Sequence, residues 1–227
     1  MFEHNNSIDV ILDADSTTID TALGSIANYN HLFDDELTPY DLSHYYVLYE
    51  KAREKEPNLT DEEITLMVYS EEVIKKAKPT AFAKEFVETL HDFGCITHIS
   101  TSRPQSQRDI TEKSFKKHFP GLIKDIFLRG ENQTKFESKL STIKSLKPRA
   151  VIDDDADLMW ELANAQESAG VIFILVDQPW NKFFRQISWK GVVLPNNAFI
   201  IRVGDYTKGS WEWRNYGWDQ MIRIMGF

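Results

Sequence analysis

Cysteine is nearly absent: Cys95 is the only one in 227 residues. An intrachain disulfide is therefore impossible, and a reducing cytoplasm is the expected setting. Long apolar runs are missing too, and none approaches the ~20 residues a helix needs to cross a bilayer. The opening segment, Met1–Val10, lacks the basic and apolar regions of a secretory signal. Positive charge is in deficit, with 26 Lys+Arg against 35 Asp+Glu and a formal net charge of −9. That balance excludes a broad basic grip on nucleic acid, while a small phosphorylated substrate stays compatible because a local site can oppose the global sign. There is no internal repeat, low-complexity tract or long charge block. What is present is 42% hydrophobic and 12% aromatic residues, enough for a buried core. The length suits one or two domains, and nothing in the sequence sets an oligomeric state.

Four short apolar runs each end in, or lead directly into, a residue of chemical use: Ile8–Leu12, Cys95–Ser100, Arg149–Ile152 and Val171–Val176. Their brevity and Val/Ile content predict buried strands of a parallel sheet covered on both faces. Asp125–Leu128 is a weaker fifth. Helical patterns separate them, notably Ala81–Phe93, with an apolar stripe of Phe82, Phe86, Val87 and Leu90 and a C-cap at Gly94, and Asp157–Ala169 before Gly170. The fold class is thus α/β, a Rossmann-like parallel sheet flanked by helices. Thr21 to Pro79 breaks the rhythm, with helix formers at Tyr45–Glu54 and Asp61–Ala77 and a capping box at Thr60 and Glu63. It predicts a small helical cap, 21–79, inserted after the first strand into a core of 1–20 and 80–227. A last apolar run, Phe199–Val203, leads to a tail holding Trp211, Trp213, Tyr216 and Trp218, and then to a helical pattern, Gln220–Met225. Those aromatics either pack the terminus or form a stacking wall for a base.

Three polar clusters follow three of the strands. Asp13-Ala14-Asp15 sits where open α/β sheets bind ligands, and its carboxylates suit nucleophilic attack and proton transfer. Ser100-Thr101-Ser102-Arg103-Pro104 offers hydroxyls and backbone N–H groups to an anion. Asp153-Asp154-Asp155 places three carboxylates where they repel one another unless a hard divalent cation, most plausibly Mg²⁺, neutralises them. Helix capping would account for one of the three. A phosphate here also needs a lysine, and Lys135 and Lys139 compete. Thr134 and Glu137 form a capping box, and on the resulting helix Lys139 lies ~50° from the centre of the apolar face against ~85° for Lys135.

In this order, the four elements resemble the haloacid dehalogenase (HAD) superfamily of phosphotransferases. The match runs through Asp13-x-Asp15, Thr101, Lys139 fourteen residues before Asp153, and the Asp153-Asp154 pair. The resemblance implies a HAD core with Asp13 as nucleophile, Asp15 as general acid/base, and Thr101, Ser102 and Lys139 on the phosphate. It also implies Mg²⁺ held by the Asp13 carboxylate, the Asp15 carbonyl and Asp153 or Asp154. Ser16 departs from the glycine common there. Thr101–Pro104, the helical insertion, Asp177-Gln178-Pro179-Trp180-Asn181, and Arg202-Val203 with a later Trp218 resemble the 5′(3′)-deoxyribonucleotidase family. That implies a phosphatase for (deoxy)nucleoside monophosphates, with Phe33, Tyr45, Tyr46 and Tyr49 as candidate base contacts. The alternatives are a HAD phosphatase for a sugar phosphate or a nucleic-acid 3′-phosphate, and a catalytically weak nucleotide-binding protein.

Overall fold

In the computed structural model, the described residues are 8–43, 46–176, 178–181, 198–201, 204–205, 212–213 and 215–227, with backbone alone for 179, 198–201, 204–205, 212–213 and 215–218. Strand β1, Ile8–Leu12, lies inside the sheet, and its side chains alternate between two cores. Val10 and Leu12 enter one apolar cluster and Ile11 another. This period-two division is why a run apolar at both alternate sets of positions, here Val10–Leu12, makes a strand buried on both faces.

From β1 the chain passes through β2 (Ile19–Asp20) into helices α1 (Ala22–Phe33), α2 (Val47–Lys55), α3 (Asp61–Val68) and α4 (Glu71–Lys76), returning by β3 (Lys78–Pro79). Then follow α5 (Ala83–Asp92), β4 (Cys95–Pro104), α6 (Arg108–His118), β5 (Ile123–Arg129), α7 (Lys135–Leu146), β6 (Ala150–Asp153), α8 (Ala156–Asn164), β7 (Ile172–Val176) and β8 (Ala198–Ile201). A short pair, β9 (Gly204–Asp205) and β10 (Glu212–Trp213), precedes the last helix, α9 (Asn215–Met225). The sheet order is β5-β4-β1-β6-β7-β8, and every neighbouring pair is parallel. Helices α5, α6 and α9 cover one face, through residues such as Phe86, Phe115 and Met221, while α7 and α8 cover the other through Ile143 and Leu162. The chain passes from β1 to β4 and β5 on one side, then crosses back to β6 on the other side of β1, and this reversal of direction opens a crevice at the carboxyl ends of the strands. No helix among the described residues is long and apolar enough to cross a membrane.

The inserted helices α1–α4 gather their own apolar cluster, built on Ile26, Tyr29, Phe33, Leu48, Ile64 and Val68. The chain leaves and re-enters through the antiparallel β2–β3 pair, where Ile19 faces Pro79 and Asp20 faces Lys78.

Several elements differ from the sequence expectation. The helix expected over Asp61–Ala77 is two, because Ser70 caps α4 by accepting from the Val73 N–H at 3.4 Å. The Tyr69 carbonyl at the break accepts from the Gln107 side chain at 2.9 Å. Phe82 leaves the apolar stripe of α5, being 37% exposed in a left-handed N-cap. Helix α8 stops at Asn164, short of the expected Ala169, and a 3₁₀ turn, Gln166–Ser168, fills the gap. Strand β4 runs on to Pro104, so Thr101, Ser102 and Arg103 stand on an irregular strand end. There β5 keeps pairing, and Thr101 and Pro104 oppose the adjacent Leu128 and Arg129. Such a bulge re-aims side chains.

Candidate active site

Asp13 is the first residue past β1, and its N–H still donates to the Ile152 carbonyl at 2.8 Å, so it lies alongside the end of β6. The chain then turns sharply. The Ala14 carbonyl accepts from Thr18 and Ile19 at 3.2 and 2.8 Å, the Ser16 N–H donates to Ile19 at 2.7 Å, and the Thr18 hydroxyl donates to the Asp13 carbonyl. Ser16 takes a left-handed backbone with φ 61°. That is the conformation that favours glycine, which is the residue the resemblance leads one to expect there.

The turn brings three buried carboxylates together. Asp13, Asp153 and Asp154 each place an oxygen within 4.8 Å of the others. Lys139 reaches between them from α7, at 2.6 Å from Asp13 and in contact with Asp153. Its side chain is 4% exposed, whereas that of Lys135 is 23% exposed, 3.6 Å from Asp155 and 5.1 Å from the centre of the Tyr46 ring. The competing lysines thus divide: Lys139 joins the cluster, and Lys135 stands at its edge. The run of aspartates divides as well. Asp153 and Asp154 belong to the cluster, while Asp155 caps α8 by accepting from the Leu158 N–H at 3.2 Å.

One ammonium among three carboxylates leaves the cluster negative. Burial pushes the Asp13 carboxyl up to about 7, against the opposing pull of Lys139 and with Asp153 adding to the rise. Burial, with Asp153 and Asp13 nearby, also holds Asp154 well above the ordinary value. Burial works against the Lys139 ammonium, but Asp13 and Asp153 outweigh it and its pKa is raised. Oxygen donors only, buried and short of positive charge, fit a hard divalent cation such as Mg²⁺, with Asp13, Asp153 and Asp154 as its protein ligands.

The Asp15 carboxylate is outside that group. Arg103 turns it away with a two-pronged bond, Nε to Oδ2 at 2.8 Å and Nη2 to Oδ1 at 2.6 Å. The remaining Arg103 prong donates to Thr111 of α6 at 3.0 Å, and the Arg103 N–H donates to the Thr101 hydroxyl at 3.3 Å. Arg103 carried no role in the sequence reading, since spacing alone does not show that a strand-end arginine meets a carboxylate 88 positions away. Trp180 and Asn181 stood out in the sequence as part of a resemblance, with no role attached to either. The Trp180 indole N–H donates to Asp154 Oδ2 at 2.8 Å, and Asn181 donates to the carbonyls of Asp154 and Val176 at 3.0 and 2.9 Å. Their signals were the resemblance carried by Asp177-Gln178-Pro179-Trp180-Asn181 and their place directly after a strand.

A cleft of about 850 Å³ opens beside these groups, between the strand ends and the inserted helices. Asp15, Ser102 and Arg103 line its floor, Tyr46, Tyr49 and Tyr69 its insertion side, and Lys135 and Arg129 its flank. Phe33, expected as a base contact, is not in the cleft. It is buried in the insertion core with its ring 4.8 Å from Tyr29, because an apolar position on α1 faces the other helices. Tyr45, Asp177, Arg202, Val203 and Trp211 lie outside the described residues, as do the side chains of Trp213, Tyr216 and Trp218.

No family model matches the chain, and no curated protein matches it. Solved structures do. A protein designated a phosphoglycolate phosphatase, from Lactobacillus delbrueckii subsp. bulgaricus, is 17% identical with a TM-score of 0.58, over 86% of this chain and 93% of that one. One designated a haloacid dehalogenase-like hydrolase, from Bacteroides fragilis, is 16% identical with a TM-score of 0.59, over 86% and 96%. A predicted phosphatase from Clostridium acetobutylicum is 15% identical with a TM-score of 0.57, over 86% and 93%. The likeness establishes the α/β fold of HAD-type hydrolases. The deoxyribonucleotidase resemblance has no counterpart among these three names.

Proposed function

We propose that this chain is a divalent-cation-dependent phosphomonoesterase that hydrolyses nucleoside monophosphates through a phosphorylated Asp13. The observation that carries the reading is the buried group of Asp13, Asp153, Asp154 and Lys139, with Asp15 beside it at the floor of an open cleft. The Asp13 carboxylate attacks phosphorus, the ester P–O bond breaks, and Asp15 supplies the proton that the leaving oxygen takes up. Asp15 then accepts a proton from the water that cleaves the aspartyl phosphate, which returns Asp13 and releases phosphate. Arg103 holds the Asp15 carboxylate in one orientation throughout. Lys139 offsets charge at Asp13, and Ser102 offers a donor on the cleft floor. A Mg²⁺ ion held by Asp13, Asp153 and Asp154 would supply charge neutralisation for the phosphoryl oxygens.

Helices α1–α4 act in this reading as a cap over residues 21–79 that closes over the leaving group. Tyr46 and Tyr49 on the cleft wall, and a volume that suits a nucleoside, support a base-bearing substrate. A second reading, a smaller phosphorylated metabolite, is favoured by the phosphoglycolate phosphatase name of a structure with this fold. The test is phosphate release from ribo- and deoxyribonucleoside monophosphates, phosphoglycolate and sugar phosphates, with Mg²⁺ or EDTA, using Asp13→Asn as control. Release from the nucleotides that needs both Mg²⁺ and Asp13 is expected. Full activity of Asp13→Asn would overturn the assignment of roles, and preference for phosphoglycolate would select the second reading.

A further inference from the structure

Trp180 belongs to two places at once. Its ring is 6% exposed and packs in the apolar cluster of the inserted helices, with Tyr29, Leu42 and Leu48 among its members. Its N–H is bonded at 2.8 Å to Asp154 Oδ2, within the carboxylate group. The other Asp154 oxygen accepts from the Thr17 hydroxyl at 3.0 Å, so the carboxylate is oriented from both sides. The short segment carrying Trp180 is itself anchored: Gln178 donates to the Ser16 carbonyl, and Asn181 ties the Asp154 and Val176 carbonyls together. A cavity of about 20 Å³ marks the seam, with Ala22, Ser25 and Leu48 on the insertion side and Asp15, Asp154 and Trp180 on the other.

We propose that Trp180 is a positioning residue that couples seating of the inserted helices to divalent-cation affinity at Asp13, Asp153 and Asp154. The inference rests on the cation-dependent reading above. Its physical basis is direct: the indole cannot move with the helices without changing its bond to Asp154, and the bond cannot break without leaving a buried polar group unpaired. Groups that orient a metal ligand affect metal affinity by about 10- to 100-fold. Linkage makes the effect reciprocal, so a bound cation must steady the helices by the same free energy.

Two measurements test it on the full chain. Calorimetric titration with Mg²⁺ should show that Trp180→Phe binds about tenfold more weakly than the unaltered protein. Hydrogen exchange of the unaltered protein should slow across α1 and α2 when Mg²⁺ replaces EDTA. In Trp180→Phe that response should be lost. Equal Mg²⁺ affinity in the two proteins, or exchange in α1 and α2 indifferent to Mg²⁺, overturns the coupling. If Trp180→Phe does not fold, the exchange of the unaltered protein decides alone. Absence of Mg²⁺ binding to the unaltered protein would instead overturn the cation site itself, a result distinct from loss of coupling.

Discussion

Arg103 grips Asp15 with two hydrogen bonds, 2.6 and 2.8 Å long, although the residues are 88 positions apart. The guanidinium is almost wholly buried and the carboxylate is at the cleft floor. A fork of this kind sets direction as well as charge, which a lysine ammonium cannot reproduce.

Arg103→Lys should therefore lower kcat by about 100-fold, the size of effect that follows from a misplacement of ~1 Å, with KM little changed. Steady-state kinetics on the best substrate of the panel checks the split. Arg103→Ala, which removes the partner of a partly exposed carboxylate and empties a buried site, should also lower stability in urea unfolding.

Lys139→Met should be most damaging when no cation is present. Asp13, Asp153 and Asp154 would then lie buried without an internal counter-charge. A loss of about 3–5 kcal/mol in EDTA is expected, recovered in part by millimolar Mg²⁺. Denaturant titrations of both proteins in EDTA and in Mg²⁺ measure the difference.

The Asp13 carboxyl has an ordinary value of 3.8 and is raised to about 7 in the folded chain. The folded state therefore binds the Asp13 proton more tightly than the unfolded state, and the contribution of Asp13 to stability falls as pH rises from about 4 to 7. A Mg²⁺ ion held at the proposed site would remove this penalty, and protons would compete with it for the same oxygens. The increase in Tm on adding Mg²⁺ should thus be larger at pH 7.5 than at pH 5. An increase that is the same at both would show that Asp13 does not titrate in this range.

Ser16 has φ 61° and sits in the tight turn after Asp13. Ser16→Gly should relieve the Cβ clash of the left-handed backbone and stabilise the fold by about 1 kcal/mol. For a chain of this size that is a Tm rise of about 2–4 °C in a thermal melt.

Tyr46 and Phe33 should separate recognition from packing. Tyr46 is 39% exposed on the cleft wall, so Tyr46→Ala should raise KM with little effect on stability. Phe33 is buried against Tyr29, so Phe33→Ala should cost about 3–5 kcal/mol while leaving the order of substrate preference unchanged. Unfolding curves and the substrate panel together read both.

Much of the sheet was legible because a strand buried on both faces has few sequence alternatives. Ile8–Leu12 was expected and found residue for residue, and Gly94 takes a positive φ just past α5, where the sequence places the helix end. Thr134 and Glu137 cap α7 as their spacing predicts, and the helical wheel pointed to the inward lysine of the two. These are local rules, acting over one turn or one pleat. The break between α3 and α4 escaped although its cap, Ser70, is local, because a continuous helical pattern runs through it and the Tyr69 carbonyl there finds its partner in Gln107. The extension of β4 to Pro104 escaped because it depends on strand β5.

By itself, then, the sequence determined which polar side chains stand at the strand ends: Asp13 and Asp15 after β1, Thr101 and Ser102 near the end of β4, Asp153 and Asp154 at β6. Only the tertiary structure decided how those groups are shared. Asp13, Asp153 and Asp154 meet around Lys139, Asp15 goes to Arg103, and Asp154 is tied through Trp180 to the inserted helices. Phe33 and Tyr46 illustrate the same division, one drawn into a core and the other left on the cleft wall. The physical reason is range. Strand and helix patterns are written in neighbours a few residues apart, whereas buried charges choose partners by distance in space, across 14 to 137 positions of chain.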